Sequence, residues 1–195
     1  MLPFACLSQS QPRTLFSNNA QTHHGFFVAP TIKITRLNDE TALMPGLRAA
    51  WVINRSVALG FDAYGLVPTI EDPTIVPGMD VRPLLGYGGL FVEPILWSNR
   101  MVHFSFPVSF GAGWFGYVED WDDDEFNLGG SRSLIDDEVF WVIEPGANAE
   151  LNVASFLRLS LGVSYRIVED LSIRNTEPDA LRGFNTNFSL KFGRF

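Results

Sequence analysis

The feature that most constrains this chain is a period-two alternation of apolar and polar residues that recurs eight times from Gly25 onward. A strand points successive side chains to opposite faces, whereas a helix repeats every 3.6 residues. The clearest run is 156–168, where Leu157, Leu159, Leu161, Val163, Tyr165 and Ile167 oppose Arg158, Ser160, Gly162, Ser164 and Arg166. In 102–113, Val102, Phe104, Phe106, Val108 and Phe110 oppose His103, Ser105, Pro107, Ser109 and Gly111. In 182–192, Phe184, Phe188, Leu190 and Phe192 oppose Asn185, Asn187, Ser189 and Lys191. Weaker versions cover 25–36, 42–53, 57–67, 83–96 and 139–153. Each predicted strand reaches the roughly 9–11 residues that cross a bilayer at a tilt.

The gaps carry the topology. Short turns are expected at 54–56, 97–101 and 154–155, and long polar connections at 68–82, 118–138 and 169–181. Of the connections on the long side, only 37–41 is short. Tight turns on one side and long loops on the other are the plan of an antiparallel up-and-down barrel of the outer-membrane type. An even strand number puts both chain ends on the turn side.

An eight-stranded barrel has two possible polarities. A soluble, lipocalin-like barrel is apolar inside and wet outside; a membrane barrel inverts this. Composition favours the inverted form: 46 % of residues are hydrophobic and only 18 % charged, against about 25 % charged in ordinary soluble domains. The polar faces are rich in Gly, Ser and Asn. Their ions are Lys33, Arg48, Arg158, Arg166 and Lys191 against Asp62, Glu93, Glu144 and Glu150. This near-balance suits mutual pairing inside a narrow lumen, where an unpaired charge costs several kcal/mol. Trp51 and Trp97 fall near short turns, and Trp114, Trp121 and Trp141 near or within the longest loop, the two levels of an aromatic belt. The soluble barrel is the competing fold.

Other classes are excluded more simply. The apolar content rules out disorder, and no apolar run approaches the 18 residues of a membrane helix. The net charge of −8 disfavours nucleic acid as a partner. Cys6 is the one cysteine, so neither an internal disulfide nor a cysteine-based zinc site is available. Residues 1–24 lack the basic start and apolar run of a complete secretory signal; they are expected to be a disordered leader or signal remnant ahead of a barrel spanning 25–195.

On these residues the chain resembles the small eight-stranded outer-membrane β-barrels of Gram-negative bacteria, the OmpA/OmpX-like class, and is similar to barrels common in the Bacteroidota. The resemblance spans about residues 25–195. It rests on Gly25-Phe26-Phe27, on 86–93 (GYGGLFVE), on 142–148 (VIEPGAN) and on the ending 189–195 (SLKFGRF). It implies an outer-membrane location and contact with lipid and lipopolysaccharide, and the chain is read as a monomer. It also implies that the barrel-assembly machinery reads Phe195. The apolar alternation ends at Phe192, so Phe195 is out of register with it, and Gly193 allows a local bulge.

The candidate chemistry is sparse. Segment 118–138 holds nine acids against Arg132, a net −8 equal to that of the whole chain. Within it Asp120, Asp122 and Asp124 have the spacing of the first ligands of a calcium loop. Glu125 stands where the turn glycine belongs, however, and Ser131 where the bidentate Glu belongs. The competing reading is a solvated acidic loop, and no other cofactor is expected. His103 and Ser105 share a face, as a hydrolase pair would, which keeps a lipid A-modifying enzyme as an alternative. Yet their parity aims them into the lumen, and no third residue is in place. The expected function is structural or adhesive, with no catalytic residues; a narrow gated pore is the third possibility.

Overall fold

The computed structural model describes residues 22–37, 40–67, 81–119, 134–169 and 181–195. These form strands β1 (His24–Leu37), β2 (Glu40–Ile53), β3 (Val57–Gly65), β4 (Val81–Leu96), β5 (Val102–Ser105), β6 (Val108–Glu119), β7 (Leu134–Ala154), β8 (Leu157–Val168) and β9 (Gly183–Arg194). There is no helix among the described residues. Every pairing is antiparallel, and β1 pairs with both β2 and β9, which closes the sheet.

The nine segments make a ring of eight strands, because β5 and β6 are two halves of one. Ile95 faces Ser105, and Val92 faces Val108, so the register against β4 is unbroken across the gap. The break falls at Phe106-Pro107, where proline has no N–H to give the ladder. Phe106 N still donates to Pro94 O, and Pro107 O still accepts from Gly146 N. Proline explains two further gaps in pairing. The β1–β9 ladder skips Ala29-Pro30, and the β7–β8 ladder skips Glu144-Pro145, each resuming in the same register.

The turns at one end are tight. Asn54 and Arg55 have φ of 52° and 57°, and Trp97 has φ of 56°. Two consecutive left-handed residues in the β2–β3 turn match the right-handed twist of the flanking strands. At the other end the β6–β7 hairpin extends further than the alternation indicated. The alternation predicts loop over 118–138, but Tyr117 pairs with Asp136, Gly116 with Asp137, and Phe115 with Glu138. A register shift between Tyr117 and Val118 and the run of acids hide the strand pattern there. The expected loop therefore starts and ends as sheet. β1 likewise opens at His24, one residue before the expected start; residues 1–21, with Cys6, lie outside the described residues.

The alternation sorts side chains cleanly. Phe61 is 68 % exposed, Trp141 71 % and Phe184 75 %, while Glu93, His103, Ser105 and Arg166 are 0 % exposed. The molecule is thus apolar outside and charged inside, the reverse of a soluble barrel.

Candidate functional site

The lumen is built from the inward positions of all eight strands and is layered along the barrel axis. Nearest the tight turns lies an apolar cluster of Phe27, Ala29, Ala50, Val52, Ala58, Phe91 and Ile95, with Phe195 packed against it. The Phe195 ring stacks on Phe27 at 6.2 Å, the Arg158 guanidinium lies 3.8 Å from its centre, and its carbonyl oxygen is 3.3 Å from His23 Nε2. Phe195 therefore turns toward the lumen mouth, whereas Phe192 stays on the outer face.

The next layer is ionic. Lys191 Nζ donates to Glu93 Oε1 at 2.6 Å and to Glu150 Oε1 at 2.5 Å. Ser105 Oγ lies 2.5 Å and 2.6 Å from the same two oxygens. Glu150 Oε2 is 3.1 Å from His103 Nε2 and 3.9 Å from Arg158 Nη1. Arg48 Nη2 donates to Glu93 Oε2 at 3.5 Å, and its guanidinium lies 4.0 Å from the centre of the Phe91 ring. Two carboxylates thus share one ammonium, with an arginine flanking each. This pairing is what makes so many buried charges tolerable.

Arg48 also links to the middle layer, where its Nε is 4.0 Å from Asp62 Oδ2 and Ser109 Oγ donates to that oxygen at 2.7 Å. Lys33 Nζ donates to Glu144 Oε1 at 2.7 Å and sits 3.4 Å from the centre of the Tyr64 ring. Tyr87 Oη donates to Glu144 Oε2 at 2.7 Å, and Ser164 Oγ to Oε1 at 2.5 Å. Asn185 Nδ2 adds a third donor to Oε1 at 3.3 Å. Between the Arg48–Asp62 and Lys33–Glu144 groups lies a cavity of about 20 Å³, room for about one water.

Arg166 marks the loop-side boundary. Its Nε donates to Leu181 O at 2.5 Å, Nη2 to Thr35 Oγ1 at 3.3 Å, and Nη1 approaches Met44 Sδ at 3.4 Å. Of the nine charges expected to pair in the lumen, all are buried there, but Arg166 is held by neutral acceptors among the described residues. Around and beyond it, Met44, Leu66, Leu85, Phe115, Phe140, Val142, Val168 and Leu181 belong to a second apolar cluster. The two apolar layers are the part of the lumen that the alternation missed. Phe27, Phe91 and Phe140 sit in runs such as Phe26-Phe27 and Val139-Phe140-Trp141-Val142, apolar on both faces, so only their parity with Lys33, Glu93 and Glu144 places them inside.

The remaining candidates have definite places. His103 and Ser105 are both inaccessible; the histidine Nε2 faces Glu150 and not the serine, and His103 Nδ1 has no partner among the described residues. A hydroxyl held by two carboxylates, with the neighbouring imidazole bonded to one of those carboxylates and not to the hydroxyl, is not set up as a nucleophile. Trp51, Trp97 and Trp141 are exposed on the outer face, while Trp114 is half-buried and donates through Nε1 to Asp137 Oδ2 at 2.8 Å. Asp120, Asp122, Asp124 and Trp121 lie outside the described residues. Among the described residues no group of three or more His, Cys, Asp or Glu is arranged to hold a metal.

No protein-family model matches the chain, and no curated protein matches its sequence. Solved structures do match. The N-terminal β-barrel domain of Pseudomonas aeruginosa OprF aligns with a TM-score of 0.52 at 9 % identity, covering 89 % of this chain and 99 % of that one. Neisserial surface protein A aligns at 0.48 and 12 %, covering 89 % and 97 %. Ail, the attachment invasion locus protein of Yersinia pestis, aligns at 0.45 and 11 %, covering 88 % and 95 %. The OprF alignment agrees with the strand ring itself. By its closed ring of eight antiparallel strands, its apolar exterior and this likeness, the chain has the fold of the small OmpA/OmpX-like outer-membrane β-barrels.

Proposed function

We propose that this is a monomeric structural or surface protein of a Gram-negative outer membrane, whose barrel is an anchor and whose long acidic loops are the working part. The observation that supports this reading is the layering of side chains in the lumen among the described residues. Two ionic layers lie between two apolar clusters, and the cavity between the ionic groups has room for about one water. An ion entering such a lumen has to shed its hydration against phenylalanine rings and displace paired charges, so the barrel is read as a plug and not as a path. The exposed band of Phe, Leu, Val and Trp gives the wall its lipid contact. Lipopolysaccharide surrounds the loop end in this reading, and Asp120, Asp122 and Asp124 within 118–138 offer carboxylates to calcium or to a partner. The assembly machinery is proposed to read the C-terminal strand with Phe195 before that ring turns inward.

Planar-bilayer recordings of the purified barrel test this directly. The expected result is silence at all voltages below bilayer breakdown. Discrete unitary conductance would replace the anchor by a pore. Lipid A profiles of cells expressing wild type and Ser105→Ala check the enzyme alternative; an acyl pattern that changes only with the intact serine would overturn the non-enzymatic reading.

A further inference from the structure

Among the described residues the carboxylates outside the lumen are confined to one end, where Arg36, Arg82 and Arg182 accompany them. Of the ten Asp and Glu among the described residues, four (Asp62, Glu93, Glu144 and Glu150) line the lumen, and the other six (Glu40, Glu119, Asp136, Asp137, Glu138 and Glu169) lie on or beside the strand ends opposite the tight turns. Among the described residues the turn end carries no Asp or Glu outside the lumen. It carries Arg55, Arg100 and Arg194, all exposed, and none of the three has an ion-pair partner among the described residues.

Their settings point to a common ligand. Arg194 lies on the outer face of β9, in the same cross-strand row as Phe26 and Trp51. A guanidinium on that face, at the edge of the apolar band, has to extend its head out of the hydrocarbon. Arg100 lies with its guanidinium 5.4 Å from the Trp97 ring, which is 57 % exposed at the base of the β4–β5 turn. Tryptophan at this level marks the headgroup region. Arg55 occupies a left-handed position at the tip of the β2–β3 turn, with φ of 57°, near enough to Arg158 at the lumen mouth for the two positive charges to repel. The three arginines come from the β2–β3 turn, the β4–β5 turn and the end of β9, and so are spread around the rim.

We propose that Arg55, Arg100 and Arg194, with Trp51 and Trp97, form a collar that binds anionic phospholipid headgroups in the leaflet at the turn end. The collar rests on the membrane-barrel reading above. Arginine matches phosphate with paired N–H donors, and the neighbouring indoles fix the depth at which those donors meet the headgroup. The acids at the opposite end repel the same lipids, which adds a preference for one orientation.

The test is lipid selectivity at the wall of the reconstituted barrel. The protein is inserted into phosphatidylcholine vesicles carrying traces of spin-labelled phosphatidylglycerol or spin-labelled phosphatidylcholine. The motionally restricted fraction then gives their relative association constants. Wild type is expected to favour phosphatidylglycerol about fivefold or more at low salt, since one basic residue near an anionic surface is worth roughly that factor. The triple variant R55Q/R100Q/R194Q should show a ratio near one, and high salt should weaken the wild-type preference. A wild-type ratio near one, or a triple variant that keeps the full preference, would overturn the collar. Retained preference would leave the arginines to a protein partner at that end. Heat-modifiable gel mobility is read on every sample: a chain that never inserts contradicts the membrane reading, whereas an inserted barrel without selectivity contradicts only the collar.

Discussion

Lys191→Met is the sharpest test of the ionic lumen. The ammonium is bonded to Glu93 at 2.6 Å and Glu150 at 2.5 Å, with all three groups at most 1 % exposed. Methionine keeps most of the volume and removes the charge, leaving two carboxylates facing one another. Deleting one partner of a buried ion pair costs about 3–5 kcal/mol. Arg48 still stands 3.5 Å from Glu93, and Arg158 3.9 Å from Glu150. The loss should therefore fall at the low end, about 3 kcal/mol. With a denaturant slope of about 1–3 kcal/mol per molar urea, the midpoint drops by roughly 1–3 M. The assay is urea unfolding in lipid vesicles, followed by tryptophan emission and by the unboiled gel band. Adding Glu93→Gln removes one of the stranded charges, so the double variant should be about 1–2 kcal/mol more stable than Lys191→Met alone. A single variant within about 0.5 kcal/mol of wild type, or a second substitution that adds a further loss, would refute the shared-ammonium account.

The other predictions concern the wall, the turn and the mouth. Leu161→Arg, on the outer face opposite Phe188, should cost about 2–4 kcal/mol in vesicles; a soluble barrel would tolerate it with no loss. Arg55→Gly should stabilise the β2–β3 turn by about 1 kcal/mol, seen as a higher urea midpoint, by relieving a left-handed arginine. Phe195→Ala should cost about 3 kcal/mol if its ring fills the turn-side mouth against Phe27 and Arg158; unchanged stability in the folded protein would show that the ring is dispensable there.

Much of the architecture was legible because a strand with one face in lipid and one in a charged lumen leaves a clean parity. Leu157 through Ile167 against Arg158 through Arg166 is such a strand, and it appears as β8 with hardly a shifted boundary. The lumen charges were legible for the same reason. Arg158 and Glu150 can face inward only if Leu159 and Leu151 face out. Parity failed where both faces are apolar, as at Phe140-Trp141-Val142, and so the two apolar layers were missed. It also fails where both faces are polar, as at Asp136-Asp137-Glu138, where the paired base of the β6–β7 hairpin carries no strand pattern. Contacts across the lumen lie further out of reach. Lys191 and Glu93 are 98 residues apart, and only barrel closure through β1 and β9 brings them together. Arg166 shows the limit of charge counting: the balance suggested a carboxylate, while the side chain is held by a carbonyl, a hydroxyl and a thioether.

The central claim is that the apolar face is the outer one and meets lipid. Gel mobility in detergent, with and without boiling, tests it most directly on the purified chain folded into vesicles or micelles. A closed barrel with this exterior should resist the detergent cold and run at a different position from the boiled chain. The heat-sensitive band should appear only after refolding with lipid or detergent. A protein that folds and stays in solution without either, with identical mobility before and after boiling, would contradict the account.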